Sequence, residues 1–584
     1  MVHPIRKVLK GLRYLKNYGL RATLRKMKYQ FRPREKHCNF EYPKAVLDKQ
    51  RNTVFPREIK FSILVPLYNT PLPFLKEMVK SVIDQTYSNW ELCLADGSDD
   101  AHAEVGQAVL KMMETEPRIR YQKLERNLGI SENTNACIDM ATGDFIALFD
   151  HDDLLHKAAL FEMMQRICDE NADFVYTDEL TFLSPDLKKI VTVHYKPDYA
   201  PDNLRANNYI CHFSAFSREL LEKAGKFNPA FDGSQDHDMI LRLTEHANKI
   251  VHIPKVLYYW RSHPQSVAMD INSKQYAITA GKNAVKASIN RMGYDVEVES
   301  SPAFPTIYRF RYAIKENKKV SIIIPNKDHV KDLKKCLQSI FDLTTYPNYE
   351  IVIVDNGSTD EKLFAYYEEL KARDNVTICS LDIPFNYSKL NNFAVTKATG
   401  DYYLLLNNDI KIITPEWIEE MLMYAQRDDV GAVGAKLYYP DDTIQHAGVV
   451  LGIGPDGFAG HAFHKEPRGY VGYMGRLYYA QNVMAVTAAC MLVKASVYRE
   501  IGGLDEDFEI AFNDVDFCMK IRKAGYLNVW TPFAEAYHYE SKTRGYEDTK
   551  EKRERFLKEG DKFRTRWKQD LEREDIYYPT KMFF

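Results

Sequence analysis

Short apolar runs alternate with amphipathic stretches along most of the chain. Residues 61–66 read FSILVP and residues 320–325 read VSIIIP, and both runs are apolar, contain β-branched residues and end at a proline. A helical pattern of apolar positions follows each run, at residues 74–85 and 333–341, and a second apolar run then ends in an acidic residue and glycine. This alternation of strand and helix predicts an α/β fold with a mainly parallel sheet covered on both faces.

The chain presents this pattern twice, with the same landmarks in the same order. LADGS around Asp96 is matched by IVDNGS around Asp355. ATGDFIALFDHDD, from Ala141, is matched by ATGDYYLLLNND, from Ala398. Further on, a glycine precedes an aspartate by the same interval in both copies (Gly225 and Asp236, Gly503 and Asp514). We therefore predict two Rossmann-like domains in tandem.

A change of composition marks the boundary between the two copies. Residues 301–317 hold two prolines and end in a charged run, which is typical of a linker. We predict a basic helical N-terminal segment at residues 1–55 and a first domain at residues 56–300. A second domain with a C-terminal helical extension is expected at residues 318–584.

The N-terminal segment is strongly basic. Its lysines and arginines are interleaved with leucines at mostly helical spacing (Leu9, Leu12, Leu15, Leu20 and Leu24). Two interpretations stay open: a helix that lies on an anionic membrane surface or a partner helix, and a solvated helix packed on the first domain.

Composition and charge narrow the class of protein. The 79 Lys and Arg residues nearly balance the 81 Asp and Glu residues, which argues against nucleic-acid binding over the whole surface. Nine cysteines without a C-x-x-C pair favour reduced thiols and a cytoplasmic location. No window approaches the ~18 apolar residues of a membrane-spanning helix, and no signal peptide is apparent.

Two nucleotide-binding classes lack their motifs. A dinucleotide-dependent oxidoreductase needs G-x-G-x-x-G after the first strand, yet residues 65–69 and 324–328 contain no glycine. No G-x-x-x-x-G-K-[ST] occurs either, which argues against a P-loop enzyme.

Acidic side chains follow the apolar runs in both copies. Ligands of open α/β sheets bind outside the carboxyl ends of the strands, where these acids are expected to lie. Asp150 and Asp152 form a D-x-D, whose paired carboxylates suit a hard divalent cation that bridges the phosphates of a nucleotide. The second copy has Asn407 and Asp409 at these positions. The alternative is an acidic loop that is only solvated.

A second constellation follows later in each copy. Asp236 and Asp514 stand where a helical pattern begins, so either carboxylate suits the removal of a proton from an attacking hydroxyl. The simpler interpretation is an N-cap. His263 and His538 follow, and each either completes the shell of the cation or contacts phosphates, or is structural.

Together these motifs resemble glycosyltransferase family 2, the inverting enzymes of the GT-A fold. The resemblance lies in VPLYNT and IIPNKD, the acid-Gly-Ser strand ends, D-x-D and NND, the two helix starts and the late histidines. In the second copy, PFNYSKLNN, VGAVGAKLYYPDDTIQHAGVVLG, GGLDEDF and YHYESKTRG resemble the bacterial rhamnosyltransferase branch that builds O-antigens, capsules and rhamnan polymers.

The resemblance implies a role for each matching residue. Nucleotide-sugar binding is implied for the two acids that pair with the base, the loops beneath it and the ribose-facing positions (Pro66, Tyr68, Asn69, Asp96, Arg126, Asp150, Pro325, Asp355 and Asn407). Binding of Mn²⁺ or Mg²⁺ is implied for Asp152, Asp409, His263 and His538, and the general bases are Asp236 and Asp514. The chain departs from the family pattern at Gln235, Asn513 and Asn407.

The implied function is a bifunctional inverting glycosyltransferase of surface-glycan synthesis. Rhamnose is the favoured sugar, from a dTDP- or UDP-linked donor, with a glycan or lipid-linked glycan as the acceptor and no nucleic-acid partner. Transfer of a hexosamine, galactofuranose or uronic acid stays open, as does a single catalytic domain beside an acceptor-binding module. The expected location is the cytoplasm, including the inner face of the cytoplasmic membrane.

Overall fold

A computed structural model describes residues 40–262, 275–454, 457–540, 550–579 and 582. The chain divides after Phe310 into two compact units, called the first half and the second half. Of the basic segment predicted at residues 1–55, residues 1–39 lie outside the described residues. No helix within the described ranges is long and apolar enough to cross a membrane.

The first half alternates strands and helices. Its helices are α1 (Lys44–Arg51), α2 (Leu72–Ile83), α3 (Glu104–Met113), α4 (Ile130–Met140), α5 (Ala159–Glu170), α6 (Pro201–Ala206), α7 (Arg218–Ala224), α8 (Gln235–His246) and α9 (Gln275–Arg291). Its strands are β1 (Phe61–Leu67), β2 (Trp90–Asp96), β3 (Ile119–Lys123), β4 (Phe145–Leu148), β5 (Leu154–Leu155), β6 (Phe174–Leu183), β7 (Ile190–His194), β8 (Ser214–Ser217), β9 (Ile250–Ser262) and β10 (Val296–Ser300), and β11 (Tyr308–Tyr312) crosses the division.

The second half follows the same alternation. Its helices are α10 (Val330–Leu343), α11 (Glu361–Leu370), α12 (Tyr387–Val395), α13 (Trp417–Ala425), α14 (Ala495–Glu500), α15 (Asn513–Lys523), α16 (Lys550–Arg566) and α17 (Lys568–Glu572). Its strands are β12 (Val320–Asn326), β13 (Tyr349–Asp355), β14 (Val376–Ser380), β15 (Tyr402–Leu406), β16 (Ile410–Ile412), β17 (Val430–Tyr438), β18 (Ile444–His446), β19 (Val449–Leu451), β20 (Ala459–His461), β21 (Gln481–Val483), β22 (Cys490–Lys494) and β23 (Leu527–His538).

The two main sheets have the same topology. The strand order is β3-β2-β1-β4-β8-β6-β9-β5 in the first half and β14-β13-β12-β15-β22-β17-β23-β16 in the second. In the first sheet, β1 is parallel to β2 and β4, whereas β8 runs antiparallel to β4 and β6. The predicted α/β fold with two tandem domains is confirmed, although the sheets are mixed beyond β4 and β15.

The repeated Ala-Thr-Gly-Asp motif has a structural role. Thr142 donates a backbone N–H to Glu91, whose other partners include Lys60 and Ser62. Burial raises the pKa of Glu91, but these hydrogen bonds outweigh burial and lower the pKa to about 2. A Cβ on Gly143 would lie 2.6 Å from the carbonyl oxygen of Lys60, so the close approach of the two segments requires glycine.

The stretch predicted as a linker, residues 301–317, contains a strand. Tyr308, Phe310 and Tyr312 of β11 are buried and alternate with less buried residues, which is the period-two pattern of a strand. The two prolines lie before this strand, so they mark a turn rather than an extended connection.

Candidate active site

The base-binding acid predicted in the first half lies at the end of β2. The Asp96 carboxylate is buried and accepts hydrogen bonds from the Ser98 N–H and the Tyr121 hydroxyl, both at 2.8 Å. Asn69 has a left-handed backbone and donates its N–H to the Ser98 hydroxyl at 2.9 Å. Tyr68, one residue beyond β1, is 48% exposed. A fixed carboxylate beside an exposed aromatic ring suits the binding of a flat, hydrogen-bonding base.

The same connections recur at the end of β13. The Asp355 carboxylate accepts hydrogen bonds from the Ser358 N–H and the Tyr367 hydroxyl, both at 2.9 Å. Asp328, which also has a left-handed backbone conformation, corresponds to Asn69 and donates its N–H to the Ser358 hydroxyl at 2.8 Å. Both halves therefore build this strand end in one way, with Pro66 and Pro325 inside the central strands.

Arg126 was predicted to bind the nucleotide sugar. It lies exposed in the loop between β3 and α4. The next residue of this loop, Asn127, has its Cα 3.1 Å from the position of a Cβ on Gly97, directly after Asp96. The loop thus reaches the same strand end, and the role of Arg126 stays a prediction.

The D-x-D of the first half follows β4 and is held by a third acid. Asp153 is fully buried and accepts hydrogen bonds from the Tyr258 hydroxyl at 2.5 Å and the Arg261 N–H at 2.7 Å. Burial, with the charges of Asp152 and Asp150, raises the pKa of Asp153 well above its ordinary value. Sequence reasoning missed Asp153 and Arg261 as supports of the D-x-D. His263 lies outside the described residues.

In the second half the corresponding residues meet His538. Its Nε2 lies 3.1 Å from Oδ1 of Asp409 and 3.2 Å from Nδ2 of Asn407. The antiparallel pairing of β16 with β23 places Ile410 opposite His538, and this register brings the two segments together.

The hydrogen bonds of His538 test whether this site fits a divalent cation. Its Nδ1 lies 2.7 Å from Oε1 of Gln445, whose Nε2 donates to Glu540. Because Oε1 only accepts, a neutral His538 carries its proton on Nδ1 and turns a lone pair toward Asp409. A neutral His538 accepts a hydrogen bond at Nε2 from Nδ2 of Asn407, and a cation shared with Oδ1 of Asp409 across 3.1 Å would take the place of that bond.

The protein supplies few ligands of its own for that cation. The described residues include no group of three or more His, Cys, Asp or Glu side chains arranged to hold a metal ion. Asp409 and His538 would hold such a cation in the second half, and its remaining ligands would come from a bound phosphate substrate and water, as is usual for Mg²⁺.

The two predicted bases lie in the first turns of α8 and α15. The residues at the N-caps of these helices are Ser234 and Phe512, so neither Asp236 nor Asp514 is the N-cap. Burial, followed by the charge of Asp150, raises the pKa of Asp236 to about 6. The second acid of each helix start is structural instead, since Asp238 pairs with Arg242 at 2.7 Å; in the second half, Asp516 pairs with Arg566 at 2.8 Å.

A cavity of about 630 Å³ gathers the predicted site of the second half. It is lined by five predicted residues, Pro325, Asn407, Asp409, Asp514 and His538. The sixth predicted residue, Asp355, is not among the lining residues, although its neighbour Asn356 is. Sequence reasoning missed other lining residues: Phe385, Gln445, His461, Glu540 and Arg555.

Fold and site together define an α/β protein whose strand-end acids suit a nucleotide diphosphate held through a cation. The family model described as "Glycosyl transferase family 2" matches residues 62–225 and 321–502, more than half of the chain. The chain therefore belongs to glycosyltransferase family 2, and the expected tandem arrangement is confirmed.

Curated relatives resemble most of the chain. It is 43% identical over 513 residues to uncharacterized protein y4gI of Sinorhizobium fredii, covering 87% of this chain and 56% of that protein. It is 35% identical over 485 residues to O-antigen biosynthesis protein RfbC of Myxococcus xanthus, covering 83% of this chain and 37% of that protein. The chain thus spans about half or less of these relatives.

Among solved structures, the mannosyltransferase PcManGT from Pyrobaculum calidifontis, in complex with GDP-Man and Mn²⁺, is similar at 15% identity. That match covers 53% of this chain and 78% of the other, with a TM-score of 0.34.

Proposed function

We propose that both halves are inverting glycosyltransferase domains that act in turn on a growing surface glycan. The observation that carries this proposal is the cavity of the second half, which gathers Asn407, Asp409, Asp514 and His538. The first half supports it with the same strand order, the same loop connections at Asp96 and a complete D-x-D.

The proposed donor is a nucleoside diphosphate sugar with a pyrimidine base. The buried carboxylates of Asp96 and Asp355 have fixed orientations and suit pairing with the imide N–H of uracil or thymine. We favour dTDP-rhamnose because the motifs of the second copy resemble rhamnosyltransferases. A UDP-linked hexosamine, galactofuranose or uronic acid is the alternative within the same chemistry.

The residues that would hold Mn²⁺ or Mg²⁺ are Asp152 in the first half, and Asp409 with His538 in the second. When bound, such a cation offsets the negative charge that develops on the departing nucleoside diphosphate. Nδ2 of Asn407 lies 3.2 Å from Nε2 of His538, and we assign to Asn407 the contact with the ribose.

The chain's own acids perform the proton transfer. Asp236 or Asp514 accepts the proton of an acceptor hydroxyl as its oxygen attacks the anomeric carbon of the donor sugar. The sugar–phosphate bond breaks on the opposite face in the same displacement, so the configuration at this carbon inverts. The mechanism requires no covalent sugar–enzyme intermediate and no nucleophilic serine or cysteine.

The proposed acceptor is a glycan or lipid-linked glycan of the cell surface. The name of the Myxococcus relative, an O-antigen biosynthesis protein, supports this class of acceptor. A cytoplasmic location with peripheral contact at the inner membrane face fits a donor made in the cytoplasm and the basic composition of residues 1–36.

A second candidate function has one observation in its favour. Asn407 replaces the first acid of the D-x-D, so the second half has one carboxylate fewer at its cation site than the first. Under this alternative the second half binds the acceptor for the catalytic first half.

Calorimetric titration with UDP, TDP and GDP in the presence of Mn²⁺ tests the proposal. We expect two sites per chain for TDP or UDP, with Asp152→Ala and Asp409→Ala each weakening one of them by at least about tenfold, because each removes a charged ligand. Asp139→Ala, which removes an exposed acid paired with Lys226, is the control. Loss of binding in Asp152→Ala together with an inert Asp409→Ala supports the acceptor-module alternative.

A further inference from the structure

The second half carries a small sheet that has no equivalent at the same place among the described residues of the first half. The chain between β6 and β8 covers residues 184–213 in the first half, whereas the equivalent chain between β17 and β22 covers residues 439–489. The longer segment forms the antiparallel pair β19–β20, and β20 ends at His461, which lines the cavity. Residues 184–213 of the first half form no pair equivalent to β19–β20, so the halves differ at the wall where His461 lies.

Two histidines of this segment are bonded to each other. Nδ1 of His446 lies 2.9 Å from Nδ1 of His461, and Nε2 of His446 lies 3.3 Å from the backbone N of Thr487. His446 is fully buried. Only one proton fits between the two Nδ1 atoms, and the N–H of Thr487 only donates.

These contacts fix the tautomer of both rings. His446 accepts from Thr487 at Nε2, so its own proton is on Nδ1 and is donated to His461. The opposite direction would leave His446 without any ring proton. His461 therefore accepts at Nδ1, and its proton must be on Nε2. Burial lowers the pKa of both histidines, which keeps the pair uncharged at neutral pH.

The cavity around His461 is rich in acceptors of hydrogen bonds. Asp514, the proposed base, and Glu540 line the same cavity, and the charge of each acts on His461. Gln445, adjacent in sequence to His446, also lines it. Four acidic side chains line this cavity (Asp328, Asp409, Asp514 and Glu540), against the two basic side chains Lys327 and Arg555. A carboxylated ligand would therefore meet a net negative lining, whereas a sugar hydroxyl both donates and accepts hydrogen bonds.

We propose that His461, held by His446, donates its Nε2–H to an uncharged acceptor saccharide of the second half. The assignment rests on the proposed transferase function and adds the class of acceptor and a residue that selects it. His461 contacts the acceptor, and His446 is a positioning residue. Because the corresponding segment of the first half, residues 184–213, forms no such sheet, the two halves recognise different acceptors.

Saturation-transfer NMR with three probes, in the presence of UDP and Mn²⁺, tests this assignment. The probes are p-nitrophenyl glycosides of rhamnose, N-acetylglucosamine and glucuronic acid. We expect the native protein to bind a neutral glycoside more tightly than the glucuronide. His461→Ala should weaken binding of the neutral glycoside by about tenfold. His461→Gln keeps an N–H donor, so it should retain most of the affinity for the neutral glycoside. His464→Ala is the control, since His464 belongs to the same segment but is bonded to Tyr439.

Three results would overturn the inference: unchanged glycoside binding in His461→Ala, tightest binding of the glucuronide, or no binding of any probe to the native protein. Titration of UDP against each variant separates this failure from failure of the proposed function. If nucleotide binding to the second half is absent from the native protein, the transferase proposal fails. If it is intact while His461 has no effect, only the acceptor assignment fails.

The positioning role of His446 has its own readout. Long-range ¹H–¹⁵N spectra of histidine-labelled protein, assigned with the His461→Ala variant, should show His461 as the Nε2–H tautomer at neutral pH. His446→Phe should release His461 into a mixture of tautomers and weaken the neutral glycoside by less than His461→Ala does. A Nδ1–H tautomer of His461 in the native protein contradicts the proposal.

Discussion

The proposed role of Asp236 as the base of the first half predicts how activity depends on pH. Burial and the charge of Asp150 raise its pKa to about 6, so the carboxylate that a general base requires dominates only above that pH. In an Asp514→Asn chain, where only the first half transfers sugar, kcat/KM should rise about tenfold per pH unit up to pH 6 and then level off. The acceptor for this assay is the glycan that accumulates in cells carrying the double Asp236→Asn, Asp514→Asn variant.

The electrostatic cause of that profile can be tested separately. The charge of His212, whose Nε2 lies 3.6 Å from Asp150, lowers the pKa of Asp236. His212→Asn should therefore move the acidic limb of the pH profile, the rise of kcat/KM below pH 6, to higher pH. His102→Asn, which removes an exposed histidine paired with Asp99, should leave this limb in place. A limb near pH 4 in the Asp514→Asn chain contradicts the assignment of Asp236 as the base of the first half.

Not every residue of the site was accessible to sequence reasoning. Asp96 and Asp150 follow apolar runs directly, and Asp409 follows one after two asparagines, so their place at strand ends was predictable from chain order. The cluster from Asp150 to Asp153 was also predicted at a strand end, but the pairing of Asp153 with Arg261 was missed because it joins segments that β9 brings together. The roles themselves stay predictions until binding and transfer are measured.

At the scale of elements, the C-terminal tail holds the small sheet that carries His461. The buried carboxylate of Asp575 accepts hydrogen bonds from the backbone N–H groups of Leu451 in β19, Tyr577 and Tyr578, at 2.8–3.0 Å. Asp575→Ala leaves these donors without an acceptor, so β19–β20 should lose about 2 kcal/mol of local stability. Hydrogen exchange of residues 449–461, followed by mass spectrometry, measures this loss.

The matched variant for that experiment is Asp561→Ala, which removes an exposed acid paired with Arg564 on α16. It should leave exchange in β19–β20 unchanged. Equal exchange in Asp575→Ala and the native protein would show that the small sheet is stable without the tail. Reduced protection in the first half of the Asp575→Ala chain would point instead to general unfolding.

The elements themselves were predicted unevenly. The central strands were predictable because they are buried on both faces and read as continuous apolar runs, as in β1 and β12. The antiparallel strands β8 and β22 were not, because their direction depends on pairings between distant segments that leave no local pattern. The sheet β19–β20 lies in the segment where the two copies differ, so the repeat gave no guide to it.

At the scale of the whole molecule, the repeat of the fold supports the proposal that the chain has two activities. The sheets share one strand order and the strand ends share one set of connections, yet Asn407 stands where the first half has Asp150 and β19–β20 lies only in the second half's segment between β17 and β22. If the product of one half is the acceptor of the other, blocking each half stops the glycan at a different residue.

Cells that carry Asp236→Asn or Asp514→Asn should therefore accumulate two different truncated glycans, distinguishable by mass spectrometry and linkage analysis. The substitution removes a proton acceptor and keeps the shape of the side chain, so we expect each blocked step to slow by at least about a hundredfold. Mixing the two purified variants should restore the full product, because each supplies the step that the other lacks. Identical truncated products would contradict two activities, since a single catalytic half assisted by an acceptor-binding half stops at one point whichever half is damaged.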